Sequence, residues 1–212
     1  LIPRFCGPFW ITGRRGPAQM AVLRTIIRCK LPRIANANCE IATLCTDEDM
    51  HDMEDLVPRD IAATIRKTDR VAVWLDHVHR WMSGATSGRA DSRARIAIVH
   101  WHRAASFLNN RDSAHFTDLR RLMMNAAYHG VTFILVSGEE NHVHPDLREF
   151  AIFQFQSIVH AEHERAVVWR NLQVSNSVVQ DEDEADFWKF FEHHQDCYLL
   201  VRPMAILSKW TA

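Results

Sequence analysis

Phe9-Trp10-Ile11-Thr12-Gly13-Arg14-Arg15-Gly16-Pro17-Ala18-Gln19-Met20 runs straight into the apolar, helix-patterned Ala21-Val22-Leu23-Arg24-Thr25-Ile26-Ile27. The first four residues suit a short buried strand and the glycines a turn. Pro17 suits the first turn of a helix, where its missing N–H is not needed. Strand, glycine turn and helix N-terminus together are the setting of a phosphate-binding loop, because free helix amides and a glycine turn cradle an anion. The side chains of that chemistry are missing. Against G-x-x-x-x-G-K-[ST], Gly13 matches, the second glycine is Ala18, the lysine is Gln19 and the hydroxyl is Met20. Gln19 brings no charge to β- and γ-phosphates, Met20 cannot ligate magnesium, and Pro17 removes a backbone donor. The stretch reads as the loop of a disabled nucleotide-binding fold.

Outward from it, the pattern predicts a helix over residues 18 to 30, stopped by Pro32, with Val22, Leu23, Ile26 and Ile27 as its core face. Residues 39 to 46 form a second strand, followed by an acidic loop to Val57-Pro58 that is expected on the surface. Thr68 or Asp69 caps a helix whose Val71, Trp74, Leu75, Val78, Trp81 and Met82 keep the amphipathic period. After the loop Ser83-Gly84-Ala85-Thr86-Ser87-Gly88, residues 96 to 99 make a third buried strand ending at His100-Trp101-His102. A helix near residues 115 to 128 buries Leu119, Leu122, Met123 and Ala126 and ends at Gly130. Strands follow at 131 to 136 and 151 to 155, a helix is preferred for 160 to 171, and Asp181-Glu182-Asp183-Glu184 opens another with Phe187, Trp188, Phe190 and Phe191. Residues 197 to 201 and 206 to 210 complete the strands. Strands alternating with helices argue an α/β fold with a largely parallel sheet flanked by helices.

Composition is compatible with this. At 212 residues and 47% hydrophobic, residues 1 to 212 suit one domain with a real core. Five scattered cysteines without a C-x-x-C indicate free thiols in a reducing compartment rather than a disulfide framework. No apolar run reaches the roughly 18 residues of a membrane span. The sequence begins at Leu1, so a targeting segment ahead of it is left open. The net charge of −1 conceals an asymmetry. Residues 1 to 33 carry Arg4, Arg14, Arg15, Arg24, Arg28, Lys30 and Arg33 with no acid, and Glu40, Asp47, Glu48, Asp49, Asp52, Glu54, Asp55 and Asp60 follow. Two such blocks dock copies or partners, present an anion site, or are simply two solvated faces.

The most distinctive stretch is Leu119-Arg120-Arg121-Leu122-Met123-Met124-Asn125-Ala126-Ala127-Tyr128-His129-Gly130-Val131-Thr132-Phe133-Ile134-Leu135, with Pro145, Leu147, Arg148 and Ile152-Phe153-Gln154-Phe155 in ungapped register beyond it. It resembles the genome-packaging ATPases of nucleocytoplasmic large DNA viruses, a branch of the FtsK/HerA superfamily. In that family a helix leads directly into an apolar strand, then a proline, a Leu-Arg pair and an apolar-aromatic strand. The second strand, Leu56-Val57-Pro58 and the ending Cys197-Tyr198-Leu199-Leu200-Val201 are also similar to family landmarks. The resemblance covers nearly the whole chain and implies a RecA-like P-loop fold.

Carried over position by position, the resemblance implies an active site without its groups. The vestigial nucleotide loop is Gly13, Arg14, Arg15, Gly16, Gln19 and Met20. The two acids that hold magnesium and polarise water align with His100 and Trp101, and the polar sensor aligns with Gly138. Only Gly13, Gly16 and Arg148 survive, and Arg148 has no γ-phosphate to serve unless nucleotide binds. The resemblance therefore implies a pseudo-ATPase with no cofactor and no metal, a structural, minor capsid or assembly component of a large DNA virus particle. Its partners would be other virion or capsid proteins, copies of itself and DNA. Its place would be the virion, and the host cytoplasm or virus factory during assembly. The alternatives are a packaging motor subunit completed by a partner's residues, which requires rings and DNA-stimulated turnover, and a non-viral α/β interaction protein.

Other residues carry sharper and plainer readings. His100 and His102 share one face of a strand end and, with His142 and His144, would make a transition-metal site if the strands are adjacent; the plain reading is buried or surface histidines. His77 and His79, two apart on a helix, diverge and share no metal. Arg14 and Arg15 would hold a phosphate or a nucleic-acid backbone, or else pair with acids such as those of residues 47 to 55. The seven tryptophans are mostly core material, with no basic-aromatic stripe.

Overall fold

The computed structural model describes residues 8–13, 15–30, 39–46, 48, 56–57, 63–84, 94–103, 105–138, 142–157, 165–166, 169–170, 184–193 and 198–202. Arg14, most of the acidic loop, most of residues 160 to 171 and the strand expected at 206 to 210 lie outside them.

In chain order the elements are β1 (Phe9–Thr12), α1 (Pro17–Lys30), β2 (Cys39–Cys45), β3 (Ala63–Thr68), α2 (Val71–Gly84), β4 (Ala94–Trp101), α3 (Ser106–Asn109), α4 (Ala114–Asn125), a 3-10 turn (Ala126–His129), β5 (Val131–Ser137), α5 (Pro145–Arg148), β6 (Phe153–Ser157), α6 (Glu184–His193) and β7 (Tyr198–Arg202). They build one seven-stranded sheet in the order β3-β2-β4-β5-β1-β6-β7. All pairings are parallel except β6 with β7. This is the α/β architecture with a largely parallel sheet that the alternation of strands and helices predicts, and it agrees with the RecA-like fold that the family resemblance implies.

Both sheet faces are covered, which explains why β1, residues 96 to 99 of β4 and most of β5 read as apolar runs rather than alternating ones. On one face Trp10, Leu44, Val99, Phe133 and Leu135 pack with the buried side of α2 (Trp74, Leu75, Val78) and of α4 (Phe116, Leu119, Leu122, Met123). On the other, Phe9, Ile11, Ile41, Ile98, Ile134 and Val136 pack with Met20, Leu23, Ile26 and Ile27 of α1. Trp74 is fixed further by its indole N–H, which donates to the Ala42 carbonyl at 3.0 Å. Gly130 follows the 3-10 turn with φ 68°, the left-handed stop expected of it.

Two expectations need correction. The segment before α2 holds a strand, β3, that the apolar pattern does not reveal. Its Ile65 is flanked by Thr64, Arg66 and Lys67, because β3 is the sheet's edge and leaves alternate positions to solvent. Thr68 ends this strand, and its hydroxyl accepts the Arg70 N–H at 3.1 Å just before α2. The loop after β2 is also not wholly superficial. Leu56 is fully buried within the α1-side core, so the loop is pinned at its far end.

Candidate functional site

The carboxyl ends of β1, β5 and β4 lie side by side at the centre of the sheet, with Thr12 in register with Ser137, and Trp101 with Ser137 from the other side. Ligands of open parallel sheets bind outside such ends. Gly13 turns the chain out of β1 with φ 121°, a conformation that L side chains rarely adopt. Its N–H donates to the Gly138 carbonyl at 2.6 Å and lies 3.2 Å from the Ser137 carbonyl. The Thr12 hydroxyl donates to the same Gly138 oxygen at 3.3 Å, and the Trp10 indole N–H donates to the Ser137 hydroxyl at 2.9 Å. The end of β1 is thus stitched to the end of β5.

Gly138 also touches the third strand end. A Cβ built on it would stand 2.5 Å from the His102 carbonyl oxygen. That oxygen accepts from His142 Nδ1 at 3.0 Å, which places the proton of this ring nitrogen. The residue aligned with a polar sensor is therefore a spacer that only a bare backbone fills.

Gln19 lies in the first turn of α1, 1% exposed, and its Nε2 donates back to the Gly13 carbonyl at 3.3 Å. Its Oε1 is buried without a hydrogen-bond partner among the described residues. A neutral amide thus closes the glycine turn on itself. Met20 is buried in the α1-side core, with its N–H on the Gly16 carbonyl at 3.2 Å. Gly16 has an ordinary φ, and among the described residues a methyl group added to it would meet nothing within 4 Å.

His100 and Trp101 point to opposite faces, as strand alternation requires. His100 is fully buried, and its neighbours in register are Cys45 and Val136, both members of the α1-side core. Trp101 is half-buried and meets Phe107 edge-on at 4.9 Å on the α2 and α4 side. Arg148 is half-buried at the end of α5, whose first turn is capped by His144 Nδ1 accepting the Asp146 N–H at 3.1 Å.

The histidines do not assemble the four-ligand site that their spacing allows. His100 and His102 do meet, with ring centroids 4.8 Å apart, and β4 and β5 are adjacent. His142 instead reaches a backbone carbonyl, and His144 packs edge-on against Phe116 at 5.2 Å while capping α5. Among the described residues no group of three or more His, Cys, Asp or Glu is placed to hold a metal ion.

The charge asymmetry does have a local expression. Arg15, exposed on the glycine turn, donates to the backbone carbonyl of Glu48, and Arg103, after β4, donates to the Glu48 carboxylate at 3.2 and 3.3 Å. The basic turn and Glu48, at the start of the acidic loop, are thereby drawn together at the rim, Arg15 through a backbone carbonyl and Arg103 through the carboxylate. The inward fold of Gln19 is not foreseen by spacing. Its only sequence signal is a polar side chain at a position where α1 faces the sheet.

No protein-family model matches this chain, and no curated protein does. Solved structures do. The cytoplasmic domain of EssC is similar with a TM-score of 0.50 at 11% identity, over 76% of this chain and 35% of that one. EssC ATPases 2 and 3 from Geobacillus thermodenitrificans give 0.48 at 12% identity, over 71% and 32%. B204, the DNA-packaging ATPase of Sulfolobus turreted icosahedral virus, gives 0.49 at 10% identity, over 86% and 90%. The chain spans 32% and 35% of the two EssC chains. At 11% identity, the likeness to the EssC cytoplasmic domain is a likeness of fold, the α/β RecA-like ATPase fold. Among the described residues no helix is long and apolar enough to cross a membrane.

Proposed function

We propose that this chain is a pseudo-ATPase related to the genome-packaging ATPases of large DNA viruses, retained as a structural component of the particle, such as a minor capsid or assembly protein. The observation that carries the reading is Gln19: where the resembled family has a phosphate-reaching lysine, a buried neutral amide folds back onto the Gly13 carbonyl at 3.3 Å. Met20 in the core and His100 and Trp101 at the positions aligned with the two acids support it. Loss of one transition-state electrostatic contact costs about 3 kcal/mol. With lysine, magnesium ligands and water-orienting acid all replaced, hydrolysis by this chain alone falls to background.

In this role the chain acts through protein surfaces, binding virion or capsid proteins or copies of itself. Magnesium-dependent ATP hydrolysis by the purified chain, compared with a Gln19→Ala variant, tests the loss of catalysis. Turnover above the variant's level overturns the reading, and turnover that appears only with DNA and ring-shaped oligomers replaces it with a motor subunit completed by its neighbours. A fixed, symmetric position in purified virus particles is the expected location, and absence from particles removes the structural role.

A further inference from the structure

The seam between α2 and the edge of the sheet contains a titratable side chain that the proposed role leaves unused. α2 packs on β2 and β3, as well as on α4 and the 3-10 turn. His77 sits half-buried on that helix, its ring edge-on to Trp81 at 4.8 Å. Its Nε2 is shielded from solvent and has no hydrogen-bond partner among the described residues. Nearby, Arg95 of β4 pairs with Glu40 of β2 at 3.5 Å and donates to the Trp81 carbonyl at 3.2 Å, tying the end of α2 to the sheet.

A neutral imidazole tolerates this position with its proton on Nδ1, since Nε2 then carries a lone pair and no N–H. An imidazolium does not, because it must place a charged N–H at Nε2, where no acceptor stands among the described residues. We infer that His77 is an acid trigger for the sheet edge: its protonation loosens the packing of α2 against β2 and β3 while the central strands stay folded.

The charges around it act in the same sense on balance. Burial holds the His77 pKa below its usual value of 6.5; Arg66 of β3 and Arg80 of α2 push it the same way, and Glu40 of β2 and Asp76 of α2 oppose. No charged group from α4 or the 3-10 turn is among those acting on it. For a base whose folded pKa lies below its unfolded one, the unfolded or opened form binds the proton more readily. The seam is therefore fully stable above about pH 6.5, and its stability falls as the pH drops below that value. β3 is the element most exposed to this loss, being an edge strand that among the described residues pairs with β2 alone.

The test is hydrogen exchange of the full chain at pH 7.5 and 5.5, corrected for the intrinsic pH dependence of exchange, read separately for β3, α2 and β5, alongside an NMR titration of the histidine ring signals. The expected result is that protection of β3 and α2 falls at the lower pH, by up to about tenfold for each unit separating the opened and closed pKa values. Protection of β5 stays put. In His77→Gln the fall in β3 and α2 disappears. Equal losses in wild type and variant, or a titration that puts the His77 pKa at or above 6.5, overturn the inference. The titration needs no variant, so a His77→Gln chain that fails to fold leaves the question decidable.

Discussion

Gly138 lies so close to His102 that a Cβ on it would stand 2.5 Å from the His102 carbonyl oxygen. The neighbour is backbone, at the end of a strand held in register on both sides, and has no side-chain freedom with which to yield. Gly138→Ala is therefore expected to force the ends of β4 and β5 apart, at a cost of about 1 to 3 kcal/mol typical of overpacking. For a domain of this size that is a fall in Tm of roughly 2 to 12 °C. Gly13→Ala, at φ 121°, is expected to cost a similar amount through backbone strain, about 1 to 3 kcal/mol. Gly16→Ala serves as the control, with no contact within 4 Å and an expected change within about 0.5 kcal/mol. Thermal melts of the three variants that fail to separate Gly16 from the other two would contradict this picture of the site.

Beneath the glycine turn, the Trp10 indole and the Ser137 hydroxyl form a buried hydrogen bond of 2.9 Å between β1 and β5. Trp10→Phe and Ser137→Ala each leave one polar group buried without this partner, a loss of about 1 to 3 kcal/mol apiece. The double variant removes both groups and should be less destabilised than the two losses added together. Denaturant melts of the cycle are expected to give a coupling of roughly 0.5 to 2 kcal/mol; additive losses would mean that the bond contributes nothing of its own.

The elements with strong periodicity were legible from the sequence, and for identifiable reasons. Val71, Trp74, Leu75, Val78, Trp81 and Met82 mark the apolar face of α2; all but Val71 are buried, and Val71 packs partly buried against the same core. Gly130 marks the end of the helical segment because the chain needs a left-handed residue there. β3 escaped because it holds a single large apolar residue, Ile65, and the alternation that Thr64 and Arg66 begin is broken by Lys67 and Thr68. The site was legible as a list of missing groups but not as a geometry. Spacing placed His142 near His100 and His102, yet side-chain direction, which one-dimensional spacing does not carry, turned its ring to a carbonyl. Gln19 likewise reads as an absent lysine in the sequence, while in the fold it is a closing contact.

That contact bears on nucleotide binding. Gln19 Nε2 is engaged with the Gly13 carbonyl at 3.3 Å, and its neutral amide brings no positive charge to a phosphate. Saturating ATP or ADP with magnesium is therefore expected to leave Tm unchanged. A ligand at 100 times its Kd would stabilise by about 2.7 kcal/mol, a rise of roughly 5 to 10 °C for a domain of this size. Gln19→Lys alone is expected to restore neither binding nor hydrolysis, because Met20 and His100 remain, and to destabilise the chain by placing a charge at a position 1% exposed. A nucleotide-dependent shift in the unaltered chain would make nucleotide a ligand of this fold after all.

At the rim, the Arg103 and Glu48 side chains are 76% and 63% exposed, so their 3.2 Å ion pair is open to solvent screening. Glu48→Gln is expected to change stability by less than about 1 kcal/mol, and by less still in high salt. A larger loss in chemical denaturation would show that the Glu48 carboxylate contributes more than this exposed pair.

The thiols offer a test that reads the fold directly. Cys29 is exposed on α1, whereas Cys39 and Cys45 are buried in β2. Burial pushes the Cys39 pKa up to about 11, with the neighbouring Glu40 carboxylate adding to the effect. Only the thiolate alkylates. At pH 8, iodoacetamide is therefore expected to modify Cys29 in the folded chain and to reach Cys39 and Cys45 only after denaturation, as read by peptide mass spectrometry. The sign of the accompanying pH effect follows from the raised pKa. The unfolded thiol ionises near pH 8.5 and the folded one near 11, so the contribution of Cys39 to stability is intact below the first value and declines as the pH rises from there toward the second. Alkylation of Cys39 as fast as Cys29 in the native chain would mean that β2 does not occupy the interior of the sheet.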